Sequence, residues 1–351
     1  MTRIATSWIV FAAAAAFAAT AASAETYRLT IASSHTTALP WVGPLSTRVV
    51  AEANDRLESM GSPNRIDWTE AYGGALYGFS DTLEAVALGV TDVGWVGTLW
   101  EESNMPYQNV TFYTPFTTND PRLLLDTFNA LHDELPFLAE AWEQHDQVIL
   151  GASAADTYHL LTKFPIESIE DLRGRRILAP GPSGAWLSAV GAVPVSGALT
   201  TYYNQVETGI ADGVLVILTG AYPLRLHEVA PHVTLVGLGA NFVGGMSINR
   251  DTWDRLPGDV QQVLRELGRE YSNDNATQLE DRYASILAAL EAEPSVTVHA
   301  LPAEERRRWA EALPDLAGDW AATLPHGGEL LRAYFDAISA AGEEPLRDWS
   351  Q

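Results

Sequence analysis

The sequence contains no cysteine. This absence excludes disulfides, thiolate metal sites and cysteine nucleophiles together. Without disulfides the fold must be stabilised by the burial of apolar side chains. Hydrophobic residues make up 47% of the 351 residues, which is ample for two lobes of ordinary domain size.

Basic residues are also scarce, since 21 Lys and Arg stand against 45 Asp and Glu and give a net charge of -24. A field of that sign repels phosphate backbones and anionic lipid surfaces, so we expect no nucleic-acid partner and no peripheral binding to membranes. The simplest interpretation is a solvated acidic surface suited to a salty environment. A direct role of this charge in attracting a ligand is the alternative.

Long apolar runs are confined to the N-terminus. Arg3 is followed by an apolar run from Ile9 to Ala22, which ends at the small-x-small sequence Ala22-Ser23-Ala24. This pattern predicts a secretory signal peptide over residues 1–24, cleaved after Ala24, and the run is short for a membrane span. We therefore expect an exported, periplasmic protein that is soluble.

Catalytic motifs are missing. The sequence has no Gly-x-Ser-x-Gly elbow and no phosphate-binding loop, and Gly237-Leu238-Gly239 lacks the third glycine of a dinucleotide fingerprint at Phe242. His227-Glu228 resembles the start of a zinc-binding helix, but the fifth position is Pro231. Because no nucleophile, base or metal triad is apparent, we predict that the protein is not an enzyme and needs no cofactor or metal.

The periodicity that is present predicts an α/β fold. Strand patterns at residues 27–33, 66–72 and 93–96 alternate with helical patterns over residues 44–57 and 81–88. This βαβαβ order predicts a mostly parallel sheet flanked by helices, with ligands at the carboxyl ends of its strands.

A second unit of the same kind follows. Val86–Val96 matches Val206–Val216 at the helix Val, the terminating Gly, the next aliphatic residue, the turn Asp and the strand Val. The Gly accepts the left-handed conformation that ends a helix, and the Asp can hydrogen-bond the turn backbone. The repeat favours two α/β lobes of similar construction, although a common helix-to-strand joint is the alternative.

The remaining segments predict the elements that connect the lobes. We predict one long helix over residues 122–144, strands over 148–153, 232–238 and 241–249, and a very long helix over 257–293. The length of this last helix fits a spine packed across both lobes.

Several motifs, in one order along the chain, now support a family resemblance. They are Gly73-Gly74-Ala75-Leu76, Pro165-Ile166, Asp171-Leu172-Arg173-Gly174, Arg176-Ile177-Leu178-Ala179-Pro180, Gly191-Ala192-x-Pro194, Tyr203 and Gly209-Ile210-Ala211-Asp212-Gly213. Together with the signal peptide, they resemble the DctP-type substrate-binding proteins of TRAP transporters over nearly the whole mature chain.

The resemblance implies a periplasmic-binding-protein-like fold of two lobes joined by crossing strands and a spine helix. Such a protein closes over one small organic solute and delivers it to the small and large subunits of a membrane permease. We expect a monomer with discontinuous lobes, residues 25–152 plus 242–281 forming the first and residues 153–241 plus 282–351 the second.

The candidate ligand contacts combine the predicted strand ends with the positions of the family motifs. They are His35, Trp41, Leu76, Thr98, Trp100, Asp156, Tyr158, His159, Leu178, Pro180, Tyr203, Val216 and Asn241. The alternative for each is packing within a lobe.

Three of these positions depart from the family pattern. The resemblance implies an arginine at Leu178 that pairs with the ligand carboxylate, a second arginine at His159 and an asparagine at Val216. A leucine offers no donor, so a carboxylate held there would lose its partner. The aromatic candidates instead suit a cationic, zwitterionic, aromatic or neutral solute.

Other interpretations remain open. An organic acid such as a C4-dicarboxylate could be bound through His159 or through another arginine such as Arg225. The chain could also be an exported α/β enzyme, or a binding protein that presents its solute to a sensory receptor.

Overall fold

The computed structural model describes residues 24–349. The predicted signal peptide lies outside the described residues except for Ala24. None of the helices between residues 24 and 349 combines the length and apolarity needed to cross a lipid bilayer.

The described chain contains eleven strands. They are β1 (Thr26–Ala32), β2 (Arg65–Ala71), β3 (Val93–Val96), β4 (Gln147–Ala155), β5 (Tyr158–Thr162), β6 (Arg176–Ala179), β7 (Val193–Ser196), β8 (Gly213–Ile217), β9 (His232–Leu235), β10 (Asn241–Asn249) and β11 (Thr297–Ala300).

Thirteen α-helices lie between and after these strands in the same part of the chain. They are α1 (Ala51–Ser59), α2 (Thr82–Ala87), α3 (Val110–Tyr113), α4 (Pro121–Glu134), α5 (Pro136–Glu143), α6 (Gly184–Ser188), α7 (Leu199–Glu207), α8 (Leu218–Ala221), α9 (Arg250–Arg255), α10 (Gly258–Ala292), α11 (Ala303–Ala312), α12 (Leu316–Ala322) and α13 (Gly327–Ala340). A π-helical segment, Leu45–Val50, leads directly into α1.

The strands form two separate sheets, which confirms the predicted two-lobed α/β fold. The first has the order β2-β1-β3-β10-β4 and the second has the order β11-β9-β5-β8-β6-β7. In each sheet one strand runs against the others: β10 is antiparallel to β3 and β4, and β5 is antiparallel to β8 and β9. These reversed strands are the ones that begin just after the chain has crossed from one sheet to the other.

The internal repeat has the same structure in both lobes. Gly89 and Gly209 have φ values of 66° and 77°, so each ends its helix in the left-handed conformation that glycine accepts. The Asp92 carboxylate then accepts a hydrogen bond of 2.8 Å from the Thr30 N–H of the neighbouring strand. Asp212 does the same for Arg176 N–H at 2.9 Å. The repeat therefore fixes the start of β3 and of β8 against the strand beside it.

Three elements connect the lobes. Two residues separate β4 of the first sheet from β5 of the second, and the connection from β9 to β10 returns the chain. Helix α10 packs along β4 and also contacts α8 and β11 of the second lobe. The C-terminal helices contact both lobes, since α11 lies against the turn Ile169–Leu172 and α13 lies against α4.

The predicted helix over 122–144 and the strand over 232–238 are corrected. Pro136 divides the predicted helix into α4 and α5, because Leu135 before it is extended, with φ -109° and ψ 98°, and proline removes a helical donor. The strand ends at Leu235, and Gly237 follows with φ 68°. Strand β5 was not predicted: Asp156, Tyr158 and His159 were expected to follow the strand over 148–153, and Asp156 does follow β4, but Tyr158 and His159 begin β5.

Candidate functional site

A cavity lies between the two sheets at the carboxyl ends of their parallel strands, and we call it the solute cavity. The first lobe contributes His35, Trp41, Trp95, Leu99 and Trp100. The second lobe contributes Tyr158, Pro180, Leu199, Tyr202, Leu215, Val216 and Ile217, and the crossing strands contribute Ala155 and Val243. The space inside it that admits water amounts to about 30 Å³.

Local hydrogen bonds position the aromatic wall of the first lobe. Tyr271 of α10 donates a 2.7 Å hydrogen bond to the carbonyl of Trp41, and the indole N–H of Trp95 donates to Ser153 Oγ at 2.9 Å. Gly97 allows Trp100 to lie close to the backbone, since a Cβ at Gly97 would be 2.4 Å from the Trp100 ring. The wall is therefore held by contacts to the spine helix and to β4.

The imidazole of His35 lies at the centre of this wall. It stacks on Trp100 with ring centroids 5.6 Å apart and an interplanar angle of 7°, and it meets Trp95 edge-on at 5.3 Å and 87°. Trp41 lies 6.3 Å from the same imidazole. These separations are typical of favourable aromatic pairs, so the four rings form one cluster, which we call the aromatic cage.

The cage offers neutral polar atoms but no charge. Burial lowers the pKa of His35 to about 4, so the ring is neutral at pH 7, and its Nδ1 lies 2.9 Å from Ser34 Oγ. His35 Nε2 and the indole nitrogens of Trp41 and Trp100 are buried without hydrogen-bond partners. None of the described residues that line the solute cavity is Asp, Glu, Lys or Arg.

The second lobe supplies a mainly aliphatic wall. Leu215, Val216 and Ile217 belong to β8, and the adjacent strand β5 begins with Tyr158. Burial, aided by the nearby Asp156 charge, raises the pKa of Tyr158 above its usual range, so the phenol keeps its proton. With Tyr202, this wall therefore adds apolar area and two tyrosine hydroxyls, of which that of Tyr202 donates to the carbonyl of Gly197.

Comparison with known sequences identifies the family. The sequence model of DctP, described as bacterial extracellular solute-binding protein, family 7, matches residues 55–322. The chain belongs to the DctP family. The resemblance drawn from the sequence motifs is thereby confirmed.

Two relatives match this DctP-family chain in part. A solute-binding protein of Sulfitobacter sp. (strain NAS-14.1) is 32% identical over 161 residues, which are 44% of this chain and 47% of that protein. The C4-dicarboxylate-binding periplasmic protein DctP of Rhodobacter capsulatus is 29% identical over 175 residues, which are 48% of this chain and 50% of that protein. The chain thus spans about half the length of the curated relatives it matches.

A solved structure has the same fold over most of its length. The periplasmic ectoine-binding protein from the TeaABC TRAP transporter of Halomonas elongata superposes with a TM-score of 0.76 at 19% identity. The match covers 90% of this chain and 99% of that structure. The family and this solved relative are solute-binding proteins rather than enzymes.

The fold of this DctP-family protein brings six of the predicted site residues together around the solute cavity. They are His35, Trp41, Trp100, Tyr158, Pro180 and Val216. Thr98 and Asn241 are buried nearby in the turn that carries Trp100 and at the start of β10, but they are not part of the lining. Thr98 Oγ1 and Asn241 Oδ1 are buried and have no hydrogen-bond partner.

Leu76, Leu178 and Tyr203 lie outside the lining. Leu76 is 44% exposed, whereas Leu178 is fully buried in β6 between β7 and β8. The hydroxyl of Tyr203 lies 3.4 Å from a carboxylate oxygen of Glu228, while Tyr202 lines the cavity. Successive helical residues point about 100° apart, so both tyrosines cannot face the same cavity.

Asp156 and His159 lie at a different cavity on the opposite side of β5. His159 Nδ1 accepts hydrogen bonds of 3.1 Å from the N–H groups of Val236 and Gly237, so its proton is on Nε2, 2.7 Å from the hydroxyl of Tyr283. Burial lowers the pKa of His159 to about 3. A neutral ring with both nitrogens bonded does not replace an arginine in the solute cavity.

Arg225 does not reach the solute cavity either. Its guanidinium is exposed and donates to Glu228, three residues later in the same turn. The sequence had left His159 and Arg225 open as alternative contacts for a ligand carboxylate, and neither side chain lines the solute cavity.

Several lining residues were not predicted. Trp95 lies within β3, whose carboxyl end was expected to face a ligand, so its position carried a usable signal. Leu199 and Tyr202 reach the cavity from α7, and Leu215 and Ile217 reach it from β8. No feature of the sequence alone selects these from other apolar residues.

Proposed function

We propose that this DctP-family protein is a periplasmic receptor that captures a small organic solute in the solute cavity and releases it unchanged. We further propose that it delivers the solute to the small and large subunits of a TRAP membrane permease. The observation that carries the proposal is that the aromatic cage belongs to one lobe and the aliphatic wall to the other. The function therefore depends on relative movement of the lobes.

The size of the solute cavity supports this movement. About 30 Å³ admits water, and one water molecule requires about 10–15 Å³. An organic solute is larger than this, so the two walls must separate for it to enter. The connections β4 to β5 and β9 to β10, together with α10, form the proposed hinge. We propose the lobe boundaries given above, with β4 and α10 continuing across them.

For the solute itself we favour a zwitterionic, cationic, aromatic or neutral compound. The cavity lining contains no positive side chain, and an unpaired carboxylate transferred into such a site loses its hydration without compensation. The faces of Trp41, Trp95 and Trp100 can attract a cation through their ring quadrupoles. The solved structure from Halomonas elongata that shares this fold is an ectoine-binding protein, so the zwitterion ectoine is one compound to test.

A second candidate is an organic acid of the C4-dicarboxylate type. The name of the Rhodobacter capsulatus relative supports this class. So do the unpartnered nitrogens of His35, Trp41 and Trp100, which could donate to one carboxylate. These donors are neutral, so we expect such an acid to bind more weakly than a solute that needs no cation.

A thermal-shift panel separates the two classes. The purified protein is heated with ectoine, choline, a neutral polyol, succinate or galacturonate, and a specific solute raises the melting temperature by mass action. We expect ectoine, choline or the neutral polyol to raise the melting temperature. This rise should be smaller in a Trp100→Ala variant. Stabilisation by succinate alone would contradict our preference, and turnover of a bound compound would contradict the receptor function. If the protein presents its solute to a sensory receptor instead of a permease, we expect the same solute binding in this assay.

A further inference from the structure

A second cavity of about 820 Å³ lies on the other side of β5, and we call it the hinge cavity. Its lining comes from the β4–β5 connection at Thr157, the β9–β10 connection at Gly237, α10 at Tyr283 and α11 at Arg306. It shares no lining residue with the solute cavity. Tyr158 faces one cavity and His159 the other, because successive side chains of a strand point to opposite faces.

Arg306 is a cation without an anionic partner in this cavity. Its Nη2 donates a 3.0 Å hydrogen bond to the carbonyl of Gly237, and its Nε is buried with no hydrogen-bond partner. The guanidinium carbon lies 5.9 Å from the centre of the Phe116 ring. Burial lowers the pKa of Arg306, and no ion pair of the residues between 24 and 349 includes it. A half-buried guanidinium in this state gains from an added anion.

The acidic side chains around the hinge cavity are already engaged elsewhere. Asp120 accepts hydrogen bonds from the N–H groups at the start of α4, including Arg122 N–H at 2.8 Å. Glu280 pairs with the side chain of Arg122 at 2.7 Å. Asp156 accepts from the N–H and hydroxyl of Thr219. None of these carboxylates neutralises Arg306.

Glu343 and Glu344 border a smaller adjoining cavity that Arg306 also touches. Neither forms an ion pair with Arg306 in the described chain. An anion that pairs with Arg306 must therefore be small, because a large polyanion would be repelled by these two glutamates and by the carboxylates around the hinge cavity.

A second donor faces the same space. The Tyr283 hydroxyl receives the Nε2 proton of His159, so its own hydrogen remains free to donate. Burial raises the pKa of Tyr283 to about 12, so the hydroxyl is protonated at pH 7. Leu235, Leu279 and Leu301 form apolar surface between the polar groups.

We propose that the hinge cavity is a second ligand site, which binds a small monocarboxylate with an apolar body. Arg306 pairs with the carboxylate, Tyr283 donates to one of its oxygens, and the leucines contact the body. This site is separate from the solute cavity. Failure of the proposed receptor function would leave this proposal intact, and failure of this proposal would leave the receptor function intact.

Isothermal titration with benzoate tests the proposal, with benzamide as the neutral isostere. We expect benzoate to bind and benzamide to bind about tenfold more weakly or worse, since the charge-assisted pair is lost. Arg306→Gln should weaken benzoate binding by about tenfold or more. Arg308→Gln is the matched control, because Arg308 lies on the same helix but pairs with Glu170 and Glu305. We expect this control to bind benzoate like the wild type.

Two further variants complete the test. Trp100→Ala alters the solute cavity alone, so benzoate binding should be retained if it occurs at the hinge cavity. Tyr283→Phe should weaken benzoate binding by about threefold or more and provides a second readout if Arg306→Gln does not fold. The proposal is overturned if the wild type does not bind benzoate or if benzamide binds equally well. It is also overturned if Arg306→Gln and Tyr283→Phe bind like the wild type, or if Trp100→Ala abolishes binding.

Discussion

The close contact between the spine helix and β4 gives a sharp test of how α10 is held against the sheet of the first lobe. Gly268 in α10 faces Gly151 in β4, and a Cβ at Gly268 would lie 2.2 Å from the carbonyl oxygen of Leu150 and 2.6 Å from its carbon. A Cβ at Gly151 would lie 2.1 Å from the carbonyl oxygen of Gly268. Because the obstructing atoms are backbone, they cannot move aside by a change of rotamer.

Gly268→Ala should therefore destabilise the protein although alanine is the better helix former. The intrinsic preference of a helix interior favours alanine by about 1 kcal/mol. Overpacking a tight contact costs about 1–3 kcal/mol, and a clash with backbone lies at the upper end or beyond. We expect a net loss of about 1–2 kcal/mol in the free energy of unfolding. At about 2–4 °C per kcal/mol for a chain of this size, the melting temperature should fall by about 2–8 °C.

Urea and thermal unfolding of the purified protein measure this change. Gly258→Ala is the control in the same helix, because no atom lies within 4 Å of a Cβ at that position. We expect the control to have wild-type stability or slightly more. A Gly268→Ala protein as stable as the wild type would refute the reasoning, because α10 and β4 could then move apart without a loss in the free energy of unfolding.

Two other predictions concern charge. Burial lowers the folded-state pKa of His35 and of His132 to about 4 and of His159 to about 3, so the unfolded chain binds more protons below pH 6.5 and stability should fall as pH drops from 6.5 towards 4. Asp156, with its pKa raised to about 6 by burial, opposes this trend. We expect a net loss of about 3–5 kcal/mol between pH 6.5 and 4.5 in urea titrations, and a flat profile would contradict it. Arg48→Met should lower stability by about 1 kcal/mol at low salt, because Arg48 pairs with three carboxylates, and the loss should shrink at high salt. The control Arg28→Met removes one exposed 3.8 Å pair and should change nothing measurable; equal effects of the two variants would argue against the network.

Local rules in the sequence were sufficient for much of the fold. The strand β3 has the predicted bounds, and so does β10. The predicted spine helix over 257–293 is α10 to within one residue at each end. These segments succeed because periodicity, glycine and proline act within a few residues of one another.

Where prediction failed, two different causes operated. Pro136 was a local signal for a helix break that a strong helical pattern on both sides concealed. Strand β5 had no such signal, because Tyr158–Thr162 is buried on both faces and only two residues separate it from the end of β4. Its existence depends on pairing with β8 and β9, which are distant in sequence.

The site residues were likewise predicted where local rules applied and missed where tertiary packing decided. The sequence placed His35, Trp41 and Trp100 near strand ends because a βαβ order fixes which end of a parallel sheet faces a ligand. It named Tyr203 as a ligand contact, whereas Tyr202 lines the solute cavity, and the two side chains differ by a rotation about one helix axis.

By itself, then, the sequence determined the α/β class, the paired lobes, the family and an aromatic cleft with few charges. Only the tertiary structure decided that Tyr158 and His159 face different cavities and that Arg306 lies beside residues more than a hundred positions earlier. The physical reason is that local rules fix the conformation of a segment, whereas the direction of a side chain across a sheet is fixed by long-range strand pairing.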